Sequence, residues 1–244
     1  MNPETLLTLA LIVACGLIHA SYQLSVSVLT LLSGHAIGKK THFKRVLRLS
    51  GSYLLGTIIM TLLLITSAVY TTLHIFSHSG IPLLAWAIVC GLLIGLGIAT
   101  WVFYYRKSTG TSLWLPRSMA QFLTKRAKTT RDPAEAFSLG LSTVIAEILF
   151  IAGPLAAAAL LIPLLPSTGW QLVGILVYTL SASLSLGIVW ILVGSGHSLS
   201  RIQLWREKNK RFLQFSGGSL LVLLGFYLYT EKILFAKAVL LGGI

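Results

Sequence analysis

Six apolar stretches, at roughly 5–32, 49–73, 81–105, 136–163, 170–195 and 212–230, run through this 244-residue chain. About 20 residues, each rising 1.5 Å, cross the ~30 Å hydrocarbon core of a bilayer, so every stretch is long enough to be a membrane span. Lipid offers the backbone no hydrogen-bond partners, and a helix satisfies its own groups within one segment, so helical spans are expected. Composition agrees: 55% of the residues are hydrophobic and only 10% are charged, against ~25% charged in soluble domains. The mean hydropathy is +0.85. The expected fold class is therefore an all-α membrane protein of six transmembrane helices, with short loops and no separate soluble domain.

The net charge of +13 would suit nucleic acid if it were spread over one surface. It is confined to alternate loops instead. Lys39, Lys40, Lys44, Arg45 and Arg48 fall between the first and second spans. Arg106, Lys107, Arg117, Lys125, Arg126, Lys128 and Arg131 fall between the third and fourth, and Arg201, Arg206, Lys208, Lys210 and Arg211 between the fifth and sixth. The loops near 74–80 and 164–169 and the N-terminal end have neither Lys nor Arg. Cytoplasmic loops carry the excess of Lys and Arg, so an N-out/C-out, multi-pass protein of the cell (inner) membrane is expected. The lipid bilayer is its partner, and nucleic acid is not. Residues 5–18 resemble the apolar core of a signal peptide, but no basic residue precedes them and the stretch continues to Leu32, which favours a retained first span.

Three spans lie on each side of the basic segment, dividing the chain into 1–105, a cytoplasmic linker 106–135, and 136–244. An odd number of spans per half forces the halves into opposite orientations, the inverted-repeat plan of many secondary transporters. Weak internal matches support it: Ala20 with Ala146 at an offset of 126, and Tyr53 and Gly56 with Tyr178 and Ser181 at 125. The late glycines Gly91 and Gly97 of the third span are echoed by Gly218 and Gly225 of the sixth.

The fourth span, from Ser138-Leu139-Gly140-Leu141 through Gly153-Pro154-Leu155-Ala156-Ala157-Ala158, resembles that of the CcdA/DsbD transmembrane electron carriers, and Phe215-Ser216-Gly217-Gly218 to Tyr229 resembles their closing span. The first half, with Ser33-Gly34-His35-Ala36-Ile37-Gly38-Lys39-Lys40, is similar to LysE-type exporters. The resemblance implies a six-span, inverted-repeat transporter superfamily. It also implies a paired thiol in the first and fourth spans of the electron carriers. Here Ser25 and Ile151 stand near those places, and the two cysteines are Cys15 and Cys90. A thiol relay needs thiols, so electron transfer does not carry over.

Glu147 is the only acid inside a span. An ionisable group at that depth costs at least ~2.5–3.5 kcal/mol, so it is expected to face a cavity or a partner and to serve as a proton or cation site. Gly153 and Pro154 follow; proline disturbs the carbonyl four residues earlier, here Phe150, which frees backbone oxygen for a ligand. His19, Gln23 and Ser25 of the first span, Tyr53 of the second, and Tyr178 and Ser181 of the fifth are the polar residues expected to converge on Glu147. No nucleophile–base set appears in the chain, and His74 and His78, four apart, have no third ligand, so neither enzyme chemistry, a cofactor nor a metal site is expected. The expected function is a small secondary transporter, an exporter of a small metabolite or ion, with room for a homo-oligomer. The alternative is a thiol-less relative of the electron carriers that serves as a membrane assembly or binding protein.

Overall fold

The computed structural model of the chain describes residues 2–22, 26, 28, 29, 32, 40–77, 80–103, 117–194, 205 and 208–235. Among them every regular element is helical: α1 (Pro3–Ser21), α2 (Lys40–Ile75), α3 (Leu83–Phe103), α4 (Arg117–Thr129), α5 (Pro133–Ala146), α6 (Ile148–Leu161), α7 (Thr168–Gly194) and α8 (Lys210–Tyr229). A 3-10 turn, Ile162–Leu164, continues α6, and a π-helical turn, Thr230–Leu234, continues α8. Five helices (α1, α2, α3, α7 and α8) are long and apolar enough to cross a membrane, and the count rises to six if α5 and α6, bent by 76° at their junction, form one span. The chain is an all-helical, multi-pass membrane protein.

Local chemistry sets the helix limits. Pro3 opens α1 and Pro133 opens α5, positions where the missing N–H has no intrahelical partner in any case. Gly80, at φ 68°, turns the chain between α2 and α3 in the left-handed region that glycine tolerates. The first turns of α2 carry Lys44, Arg45 and Arg48, all exposed. The 36 residues of α2 span roughly 54 Å, more than a hydrocarbon core needs, so this basic foot stands clear of it. Within the basic linker, α4 is an element that the apolar runs do not reveal. It buries Leu123 and Ala127, one turn apart, and leaves Lys125, Arg126 and Lys128 exposed.

Small residues let the long helices approach closely, as is usual where lipid rather than water surrounds a bundle. A Cβ added to Gly16 of α1 would lie 2.6 Å from Ser181 Cβ and 2.9 Å from the Tyr178 carbonyl oxygen of α7. A Cβ added to Gly140 of α5 would strike the Tyr53 carbonyl oxygen and sit 3.2 Å from Gly56 Cα on α2. On α3 and α8 the approach is reciprocal. A Cβ on Gly97 would come within 2.8 Å of the Gly218 oxygen, and one on Gly218 within 3.0 Å of the Gly97 oxygen.

The described residues form two apolar cores. The first takes Ile12, Cys15 and Ile18 from α1, Ile65 and Val69 from α2, Leu93 from α3, Leu155 to Leu161 from α6, Tyr178 and Ala182 from α7, and Leu221 and Leu228 from α8. The second takes Val26, Val28, Leu29 and Leu32, then Leu49 and Tyr53 of α2, Leu123 and Ala127 of α4, Leu139 and Ala146 of α5, and Leu186 and Val189 of α7. Contacts at the two ends of the bundle order the termini. Asn2, Glu4, Leu164, Pro166, Glu231 and Lys232 line one cleft of about 350 Å³, and Lys232 Nζ lies 6.0 Å over the Trp86 ring at the start of α3. Near the start of α2, Arg45 Nη2 donates to the Arg131 carbonyl just before α5, at 3.4 Å.

Candidate functional site

Glu147 sits where the two cores meet. Ala146 belongs to the second core and Ile148 packs against the first, and the Glu147 side chain is completely buried. Its backbone forms the joint. The Glu147 N–H donates to the Thr143 and Val144 carbonyls at 3.1 Å, closing α5 in a tightened turn. Its own carbonyl accepts from the Phe150 N–H at 2.8 Å and the Ile151 N–H at 3.2 Å, opening α6. One residue is thus the C-cap of α5 and the N-cap of α6. The last carbonyls of a helix and the first N–H groups of the next lack intrahelical partners, so the joint offers acceptors for a cation and donors for an anion beside a carboxyl group.

The 76° bend falls at Glu147, ahead of both Phe150 and Pro154. Pro154 lies inside α6 and cannot donate to the carbonyl four residues earlier, that of Phe150. Gly153 is a packing glycine: a Cβ there would meet Leu96 Cδ1 at 3.1 Å and Leu93 Cδ2 at 3.2 Å on α3.

The remaining expected residues divide into groups. His19 and Tyr178 pair directly, His19 Nδ1 to Tyr178 Oη at 2.8 Å, with ring centroids 5.7 Å apart. Both are buried, and His19 Nε2 has no hydrogen-bond partner among the described residues. Ser181 is half-buried, its Cβ seated against Gly16. Tyr53 is fully buried in the second core, its carbonyl accepting from Thr57 Oγ1 at 3.0 Å. Gln23 and Ser25 lie outside the described residues.

Buried polar residues beyond those expected to converge on Glu147 stand in the same helices. Thr57 and Thr61 follow Tyr53 along one face of α2, between its contributions to the two cores, and Ser183 of α7 stands between Ala182 and Leu186 in the same way. Thr143 lies one turn before Glu147 and is fully buried. Thr61 Oγ1 and Ser183 Oγ have no hydrogen-bond partner among the described residues. From the Gly140–Gly56 contact, Thr61 lies five residues on and Glu147 seven, roughly 8 and 10 Å along their helices. Thr61, Ser183 and Glu147 thus each fall, along their own helices, between the residues given to the two cores. A second polar group ties Tyr22, at the end of α1, to the α3–α8 pair: Tyr22 Oη donates to Thr100 Oγ1 at 3.3 Å, and Gln214 Nε2 donates to the Thr100 carbonyl at 2.6 Å. A lone Gln early in the last span was the available signal for it. No group of three or more His, Cys, Asp or Glu side chains comes together among the described residues, and Cys15 and Cys90 are buried free thiols.

No family model, curated protein or solved structure matches this chain.

Proposed function

We propose that the chain is a small secondary transporter, an exporter of a small metabolite or ion, with Glu147 as its proton or cation site. The observation that carries this reading is a fully buried carboxyl group at the joint of a bent helix pair, between the residues given to two apolar cores. A site sealed by apolar packing on both sides, with a hinge at its centre, suits alternating access, in which each core opens in turn while the site stays fixed.

The packing supports an inverted repeat. Tyr53 and Gly56 are 125 positions from Tyr178 and Ser181. Gly140 meets the first pair and Gly16 the second, so exchanging the halves turns one contact into the other. The reciprocal Gly97–Gly218 contact is where a two-fold axis between them would pass. The ends of the bundle support N-out/C-out. The start of α1 shares a cleft with the residues after α6 and with Glu231 and Lys232, whereas the start of α5 meets the basic foot of α2. The bent pair then runs from one end to the other as one broken span. A re-entrant pair would instead put the five basic residues between Arg201 and Arg211 outside, against the usual charge rule. The similarity to LysE-type exporters points the same way, and the absence of relay thiols removes the redox role.

Flux measured in proteoliposomes tests the reading. Under an imposed pH gradient, the wild-type chain is expected to move a small amino acid or cation from a screened set. Glu147→Gln, which keeps shape but cannot titrate, is expected to fold normally and lose the pH dependence. An unchanged pH profile in that variant rejects the site. No flux under any gradient, with a membrane partner retained on purification, favours the assembly role.

A further inference from the structure

The described residues form a second cleft, of about 400 Å³, between α4 and α5 at the end of the bundle that bears the basic foot of α2. Its lining is graded. Phe122 and Leu139 supply an apolar wall, Ser138 and Thr130 supply hydroxyl groups, and Arg126 supplies a cation. Phe122 is 51% exposed although it is a large apolar ring beside a membrane-embedded bundle, and the Arg126 guanidinium lies 5.8 Å over its face. Such an aromatic ring with a cation over its face suits the boundary between acyl chains and headgroups.

The charge balance favours an anion. Exposed Lys125, Lys128, Arg131 and Arg45 surround the same end, against Asp132 and Glu135. Glu135 lines the cleft, but its Oε2 accepts from the Arg131 backbone N–H at 3.1 Å. Arg126 makes no ion pair among the described residues. Ser138 Oγ donates to the Ala134 carbonyl at 3.0 Å, so its oxygen can still accept.

We propose that the α4–α5 cleft seats an anionic phospholipid, its phosphate held by Arg126 and the neighbouring basic residues and its acyl chain lying along Phe122 and Leu139. Basic pockets at the cytoplasmic ends of spans take such headgroups because each nearby Lys or Arg adds about 1 kcal/mol of attraction, and the apolar wall adds the burial of methylene groups. The site does not depend on whether the chain transports anything.

The full-length protein in neutral detergent, titrated with phosphatidylglycerol or phosphatidylcholine and read by native mass spectrometry and thermal unfolding, tests the site. Phosphatidylglycerol is expected to be retained over phosphatidylcholine and to raise the unfolding midpoint with concentration. Arg126→Gln is expected to weaken retention roughly five- to tenfold. Ser138→Trp fills the cleft from an exposed position without changing charge, and is expected to weaken it comparably. The paired Lys208→Gln, Arg211→Gln variant, altered at another basic segment, is expected to retain the lipid. Equal retention of phosphatidylcholine, equal stabilisation by inorganic phosphate, no effect of Ser138→Trp, or equal loss in the Lys208/Arg211 variant would each overturn the assignment.

Discussion

At the scale of single residues, the His19–Tyr178 contact is a well-defined buried polar interaction between α1 and α7. A buried polar group that loses its partner keeps its desolvation cost, so deleting one side of such a bond is worse than deleting both. Tyr178→Phe removes the hydroxyl that meets His19 Nδ1 at 2.8 Å while keeping the ring. It is expected to destabilise the protein by about 1–3 kcal/mol. The double variant with His19→Leu is expected to recover part of that loss, read as a non-additive pair of unfolding midpoints in detergent. Strict additivity would mean that the 2.8 Å contact contributes nothing. The pairing also shows what spacing alone leaves open. His19, Tyr178 and Ser181 were each legible as polar positions in apolar spans. However, only the depth at which α1 crosses α7 decides that Tyr178 turns to His19 and that Ser181 packs on Gly16.

Among elements, the close crossings make sharp demands on side-chain size. Gly140→Ala places a methyl group against the Tyr53 carbonyl oxygen and 3.0 Å from the Thr57 backbone nitrogen. Neither backbone can retreat without shifting a long helix, so a loss of about 1–3 kcal/mol is expected. Gly91→Ala serves as the comparison, because a Cβ there meets nothing within 4 Å and alanine favours the helix by about 1 kcal/mol. Thermal unfolding of the two variants should therefore shift in opposite directions; parallel shifts would contradict the packing. Element by element, the apolar runs located the helices that are long and apolar enough to cross a membrane, because length and hydrophobicity alone decide that property. They missed α4, which buries Leu123 and Ala127 amid basic residues, since a filter for long apolar runs is blind to a short amphipathic helix. They also put the disturbance of the fourth span at Phe150, because proline is visible in sequence. The break falls at Glu147, where α5 packs on α2 and α6 packs on α1 and α3.

For the molecule as a whole, the proposed topology predicts sidedness. In a chain whose Cys15 and Cys90 are replaced by Ala, single cysteines introduced by His78→Cys and Lys128→Cys are expected to react with an impermeant maleimide from opposite sides of sealed vesicles. Labelling of both from one side would refute the arrangement. The two apolar cores carry a further consequence for how the chain acquires its structure. The division at the linker separates 1–105 from 136–244 along the sequence, yet each core draws side chains from both segments: Ile12 and Leu93 with Leu155 and Leu221 in one, Leu49 and Tyr53 with Leu139 and Leu186 in the other. Neither half contains a complete core. A gene cut within the linker should therefore yield two fragments that are degraded when made singly and are rescued when made together, because each core is shared between the two segments.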